Sequence, residues 1–285
     1  MIKLLVFMLL MCAVVDVQAQ AEINIMTFNI RYNNPGDSLN AWPYRKDKAV
    51  SQIIFHDAQI VGVQEALYGQ INDLISGLHK YKYVGVGRSD GKQKGEYSAI
   101  LYDSMRFKVL ESGTFWLAEK TDSVGLKGWD AAIERIVTWA RFRDLQTKKT
   151  FYHFNTHFDH MGKVARRESA KLLLAKVAEI SKGKASVITG DFNAQPSDEP
   201  IVVIADKQRP DHLTDSKDVS QEPHYGPSGT FNAFGPKEVN NQPIDYIFYN
   251  RGWKVLKHAT LSQGWEGRFS SDHFPVMARM VLAER

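Results

Sequence analysis

Polar side chains of the kinds that hold phosphate, cations or protons stand where apolar runs stop. Val61-Gly62-Val63 leads into Gln64-Glu65, and Val187-Ile188-Thr189-Gly190 leads into Asp191-Phe192-Asn193. Side chains alternate along an extended chain, so Asp191 and Asn193 face one side and Phe192 the other. A carboxylate and an amide then share a cleft while the ring anchors in a core. Singly, these residues also read as a turn former (Asp191), a cap for a helix after Pro196 (Asn193) and a helix-start acid (Glu65). Asp245 is more demanding. It sits within Ile244-Asp245-Tyr246-Ile247-Phe248-Tyr249, where a lone carboxylate costs several kcal/mol unless paired. His273, in Ser271-Asp272-His273, is the natural partner, since a carboxylate fixes the imidazole tautomer and raises its basicity. His157 and His160 flank Asp159, but positions three apart on a strand point to opposite faces, so zinc chelation there needs a sharp turn.

Composition narrows the chemistry further. The 285 residues are 44% hydrophobic and 24% charged with a net charge of +4, a folded chain that suits an anionic ligand without requiring one. Lys3, the apolar run Leu4 to Met11 and Val17-Gln18-Ala19 read as a secretory signal peptide over residues 1–19, implying an exported, periplasmic or extracellular protein. The run is too short to span a bilayer, and no stable membrane insertion is implied. Cys12, the only cysteine, raises lipid anchoring as an alternative, which Met11 before it disfavours. Without Cys12 the mature chain can form neither a disulfide nor a zinc–thiolate site, so a metal must be held by oxygen or imidazole. No Gly-x-Ser-x-Gly elbow supports a serine hydrolase, no dense Lys/Arg stripe marks a DNA binder, and no protein partner is implied.

The elements that position these groups read as one domain over residues 20–285. Strands are expected at Ile23 to Ile30, Ile60 to Gln64, Tyr81 to Gly87, Tyr97 to Tyr102, Phe107 to Leu110, Arg135 to Leu145 and Thr150 to Thr156. Four more follow at Ser186 to Thr189, Ile244 to Tyr249, Trp253 to Ala259 and Pro275 to Leu282. Helices are expected at Tyr44 to Phe55, Leu67 to Leu78 and Val164 to Ile180, the last burying Leu172, Leu173, Ala175 and Val177. Hairpins mixed with strand–helix alternation predict an α/β protein with mixed sheets covered by helices, not a purely parallel sheet.

In order, Met26-Thr27-Phe28-Asn29-Ile30-Arg31, Gln64-Glu65, Asn155-Thr156-His157, Gly190-Asp191-Phe192-Asn193, Ile244-Asp245-Tyr246 and Ser271-Asp272-His273 resemble the endonuclease/exonuclease/phosphatase superfamily, from about Ile23 to Val281. The resemblance implies two mixed β-sheets packed face to face with helices on the outer faces, a four-layer α/β sandwich. It implies hydrolysis of a phosphodiester or phosphomonoester in a nucleic acid, nucleotide, inositol phosphate or lipid head group. Glu65 would be the main Mg²⁺ ligand, with Asn29 and Asp272 completing the metal site and Mn²⁺ or Ca²⁺ as substitutes. Asp191 and Asn193 would act on water and phosphate, His157 on a phosphate oxygen, and His273, oriented by Asp245, in acid–base chemistry; Asp191 and His273 are both candidate bases. Arg135 resembles the arginine that pancreatic-type nucleases hold near the scissile phosphate, and Glu96 is a candidate to orient His157. Arg31 departs from relatives that carry Asp there, which favours a single ion. Trp129, Phe231 and Tyr225, in loops near the motifs, are candidates to stack on bases or sugars, or are loop anchors. The competing reading is a non-catalytic phosphate-ligand-binding protein that retains the fold.

Overall fold

The computed structural model describes residues 21–236 and 239–283. The expected signal peptide, with Cys12, lies outside the described residues. Among the described residues no helix is long and apolar enough to cross a membrane.

Among the described residues, twelve strands and four α-helices follow one another as β1 (Ile23–Asn29), α1 (Lys46–Phe55), β2 (Ile60–Ala66), α2 (Tyr68–Gly77), β3 (Tyr81–Val84), β4 (Tyr97–Asp103), β5 (Phe107–Trp116), β6 (Ile136–Asp144), β7 (Thr150–His157), α3 (Lys163–Ser181), β8 (Ser186–Asp191), α4 (Glu199–Ala205), β9 (Thr214–Asp215), β10 (Asp245–Tyr249), β11 (Trp253–Thr260) and β12 (Val276–Leu282). They form two six-stranded sheets, β11-β12-β1-β2-β4-β3 and β5-β6-β7-β8-β10-β9. Each holds one parallel pair at its centre, β1 with β2 and β7 with β8, among antiparallel neighbours. The fold is the four-layer mixed sandwich that the sequence implied.

Period-two alternation explains the layers. On the first sheet, Met26, Phe28, Val61 and Val63 face outward against Ala49 and Ile53 of α1 and Ile71 and Leu74 of α2. On the second, Phe154, Ile188, Tyr246 and Phe248 meet Ala170, Leu173, Leu174 and Val177 of α3 and Ile201 and Ile204 of α4. Between the sheets lie Ile25, Ile60, Ile100, Phe142, Phe151, Val187, Ile247 and Met280. The buried face of α3 is rotated from the expected one, with Leu174 inside and Ala175 exposed.

The layer between the sheets changes character along the strands. Beyond its apolar floor comes a band of amides and hydroxyls. Gln64 Nε2 donates to Thr27 Oγ1 (3.0 Å) and Asn155 Oδ1 (2.7 Å), and Asn155 Nδ2 donates to the carbonyls of Val63 and Ala99 (both 2.9 Å). Asn155 belongs to the second sheet and its carbonyl acceptors to the first, so one side chain ties both sheets together. Gly62 is required here, because a Cβ would run into Thr189 Oγ1 and Asn155 Oδ1 across the gap. One step further along the same inward-facing rows come Asn29, His157 and Asp191, and the active-site candidates begin where the amide band ends.

Three elements differ from the sequence reading. β5 runs on to Trp116 because a bulge between Val109 and Glu111 resets its alternation. β3 stops at Val84, since Gly85 turns to φ 138°. The helix after Pro196 has Asp198, not Asn193, at its N-cap position.

Candidate active site

A cleft of about 500 Å³ opens at the strand ends and is lined by Arg31, Glu65, Glu96, Arg135, His157, His160, Asp191, Asn193, Phe231, Asp272 and His273, with Tyr32 and Ile133. Three of the residues that shape it adopt left-handed backbone without being glycine: Arg31 (φ 55°), Glu65 (φ 62°) and Asn193 (φ 46°). Each stands at or just past the end of a central strand, and such conformations cost of order 1 kcal/mol or more. Their effect is to re-aim side chains. Strict alternation would send Glu65 outward with Val61 and Val63. Its positive φ, at the register shift between Val63 and Ala66, turns the carboxylate into the cleft, where Oε1 accepts from Asn29 Nδ2 (3.0 Å) and Oε2 from the Tyr32 amide (3.1 Å). Asn193 likewise turns back, so that its Nδ2 reaches His157 Nε2 and the Phe158 carbonyl (both 3.0 Å) while Phe192 is fully buried.

Asp191, Asp245 and His273 form a buried cluster whose ligand atoms lie within 4.8 Å of one another. Asp245 Oδ2 is 2.9 Å from His273 Nδ1, and Asp191 Oδ2 is 3.8 Å from His273 Nε2. Burial alone would lower the His273 pKa, but the charges of Asp245 and Asp191 outweigh it and hold the imidazole well above its usual value. Asp191 is pushed up to about 7 by burial and then by Asp245, against the pull of His273 and of hydrogen bonds from Asn193 N and Asn29 Nδ2 (both 2.9 Å). His157 goes the other way: burial, then the charges of Arg135 and Arg88, keep it neutral.

The phosphate-facing cation candidate is Arg135, 3% exposed. Its Nε donates to Asp159 Oδ2 (3.4 Å), its Nη2 lies 3.0 Å from His160 Nδ1, and its Nη1 has no hydrogen-bond partner among the described residues. Asp159 is fixed in turn by four backbone amides, from Ala132 (3.2 Å), Ile133 (3.4 Å), Met161 (2.9 Å) and Gly162 (2.7 Å).

Which group of residues suits a metal follows from the donors. In the Asp191–His273–Asp245 cluster the imidazole already carries the compensating charge. Glu65 and Asp272, by contrast, open on the cleft with side chains 14% and 12% exposed. Burial raises the Asp272 pKa and the Glu65 charge adds to it. That is a hard-oxygen set with room for water, which fits a Mg²⁺-like ion. Asn29, an expected ligand, stands beside them: its oxygen accepts from the Arg31 amide (3.0 Å), and its nitrogen faces Glu65 and Asp191. Turning it over would set oxygen against two carboxylates, so it acts as a spacer between them.

Three residues are placed otherwise than the sequence suggested. Glu96 does not reach His157; it pairs with Arg88 through two bonds of 2.7 and 2.9 Å. Trp129 and Tyr225 do not line the cleft, whereas the Phe231 ring sits 5.0 Å from that of His273. The sequence reading missed His160 as a cleft residue, because β7 ends at His157 and the turn held by Asp159 brings both histidines to one side. It also missed Arg45, buried at 2% exposure, whose guanidinium donates to the carbonyls of Ile30, Arg31 (2.7 Å), Asn40 (2.7 Å) and Ser270 (3.1 Å). It pins the loops that carry Asn29 and Asp272.

Residues 26–273 match the Endonuclease/Exonuclease/phosphatase family. An endonuclease/exonuclease/phosphatase from Bacteroides vulgatus is 41% identical and superposes with a TM-score of 0.88 over 93% of this chain and 100% of its own. A mannosyl-6-phosphatase of Bacteroides thetaiotaomicron is 36% identical, with a TM-score of 0.87 over 91% of this chain and 100% of its own. Protein angel of Drosophila melanogaster is 25% identical over 177 residues, 59% of this chain and 48% of that protein, so the chain spans about half the length of this curated relative.

Proposed function

The chain belongs to the endonuclease/exonuclease/phosphatase family of phosphoric ester hydrolases, and from that premise we propose that it is an exported, divalent-cation-dependent phosphoesterase acting on a phosphorylated carbohydrate. The observation that carries the reading is the meeting of two unlike sets in one cleft. The carboxylates of Glu65 and Asp272 lie open, and the Asp191–His273–Asp245 cluster is buried beside them. The substrate class is supported by the mannosyl-6-phosphatase at 36% identity.

In this reading Glu65 and Asp272 hold one Mg²⁺, with Mn²⁺ or Ca²⁺ as substitutes; when bound, such an ion supplies positive charge to the phosphate oxygens. Arg135 Nη1 binds the phosphate, and Asn193, whose amide donates to Asp191, holds that carboxylate in place. Asp191, poised near 7, accepts the proton of the attacking water. Water oxygen bonds to phosphorus, the bond from phosphorus to the carbohydrate oxygen breaks, and that oxygen takes up a proton from solvent, to which Asp191 later returns its own. His273 is assigned charge stabilisation, not the base: its Nδ1 proton is donated to Asp245, and with Nε2 also protonated it has no lone pair to offer. His157, neutral, orients Asn193.

The test is release of inorganic phosphate by the full chain from hexose phosphates, nucleotides, inositol phosphates, phospholipids and plasmid DNA, with and without EDTA. Cation-dependent release from a hexose phosphate is expected. No turnover on any phosphoester despite measurable phosphate binding would favour the binding-protein reading. Export is tested separately, by whether the chain expressed from Met1 is recovered outside the cytoplasm beginning near Gln20.

A further inference from the structure

Arg31 is a cleft residue with no role in the scheme above. Its guanidinium is locked rather than free. Nε and Nη2 form a two-bonded fork to Asp37 (3.0 and 3.1 Å), and Asp37 also accepts from Asn34 Nδ2 (3.1 Å). The guanidinium carbon stands 4.5 Å from the centre of the Tyr32 ring. The backbone is held just as firmly: the Arg31 amide donates to Asn29 Oδ1 (3.0 Å), and its carbonyl accepts from Arg45 Nη2 (2.7 Å) and Gln70 Nε2 (2.9 Å). Those bonds sustain a left-handed conformation that an arginine does not adopt for local reasons. A side chain constrained at both ends is pre-positioned for whatever enters the cleft.

What it presents there is positive charge. Nη1 takes no hydrogen bond among the described residues and lies 3.9 Å from Glu65 Oε2, while Nε lies 3.8 Å from Asp272 Oδ2. Arg31 thus sits beside the two open carboxylates without bonding to either, because Asp37 holds it back. Arg135, whose Nη1 also has no hydrogen-bond partner among the described residues, lines the same cleft. A phosphate seated between these two walls of the cleft would meet two fixed cations, more than a diester monoanion calls for. They match the dianion of a terminal phosphomonoester, which has one more charge and one more unsubstituted oxygen to satisfy.

We propose that Arg31, fixed by Asp37, is a specificity-determining residue that selects terminal phosphomonoester dianions over diesters. This rests on the phosphoesterase reading for the identity of the site. It differs from that reading in what it predicts about charge.

The test is calorimetric titration of the Mg²⁺-loaded full chain with inorganic phosphate and with dimethyl phosphate at about pH 8, where the first is mostly dianionic and the second monoanionic. The native chain is expected to bind inorganic phosphate more tightly. Arg31→Met should weaken inorganic phosphate at least about tenfold and dimethyl phosphate less than about threefold, with Arg31→Lys recovering part of the difference. Arg31→Gln serves the same comparison if the Met variant does not fold. Equal weakening of both ligands, or no weakening of either, overturns the proposal. Turnover of a hexose phosphate in the same samples keeps the two claims apart. Failure of the native chain to hydrolyse any phosphoester sinks the function, and the ratio of the two binding constants still decides Arg31.

Discussion

The two walls of the cleft come from different sheets and are built on opposite principles. On the first sheet's side, Glu65, Asp272 and Arg31 are partly exposed charges held apart at 3.8 to 3.9 Å, each tied to backbone or to a neighbour outside the cleft. On the second sheet's side, Arg135, His157 and Asp191 are almost fully buried and bonded to one another's supports. The open wall reaches solvent at Glu65 and Asp272, and it is where a hydrated cation can be exchanged. The closed wall keeps water away from groups whose protonation states matter, which is how Asp191 and His157 are shifted in opposite directions a few ångströms apart. The difference assigns cation binding to one wall and proton handling with phosphate contact to the other.

The harshest way to break this division is Asp191→Asn. If the proton of water is handled on the closed wall, turnover should fall by about a thousandfold or more while divalent-cation affinity stays within about threefold. A variant that kept a tenth of the native rate would sink the assignment of Asp191. The next sharpens the contrast with one change per wall. Glu65→Gln should weaken Mg²⁺ binding by about a hundredfold, read as the ion concentration for half-maximal rate and by direct titration. Arg135→Met should leave that concentration unchanged and raise KM about tenfold to a hundredfold. Matching effects of both variants on ion affinity would mean that the walls do not divide the work.

The closed wall was more legible in the sequence than the open one, for a physical reason. Asp191, His157 and Asp245 follow inward-facing rows of regular strands, so alternation alone turns them toward the cleft, whereas Asn193, just past β8, owes its place to a left-handed backbone. Glu65 faces the cleft only because a bulge and a left-handed residue overturn alternation, and its place was inferred from resemblance. Arg45 left no trace, since its hydrogen-bond acceptors are backbone carbonyls and a lone arginine before a helix reads as a solvated charge. Glu96 was assigned to His157 because no local pattern announces Arg88 as its partner across a loop of glycines. The three apolar cores were readable from period-two rows, whereas the turn of α3 was not, because its apolar residues fill more than one stripe.

The smallest expected effect concerns stability in acid, and it should have opposite signs on the two walls. Burial alone would raise Asp159, but the amides of Gly162, Met161 and Ala132 and the charge of Arg135 outweigh it and bring the carboxyl down to about 2. An unfolded aspartate titrates near 3.9, so the native state binds this proton less readily than the unfolded chain. The resulting stabilisation is present above pH ~4 and disappears as pH falls toward ~2. Asp159→Asn should therefore lower stability at neutral pH, and the gap should narrow through that acid window. Asp272 is raised instead, by burial and by Glu65, so its ionised form is disfavoured by folding. Asp272→Asn in EDTA should leave the protein as stable as the native chain or more so at neutral pH, with any gain vanishing as the pH is lowered and the native Asp272 takes up its proton. Urea denaturation of both variants from pH 2 to 7 checks the signs. A destabilising Asp272→Asn would show that its charge is already well satisfied without a cation, and the open wall would lose its reason to bind one.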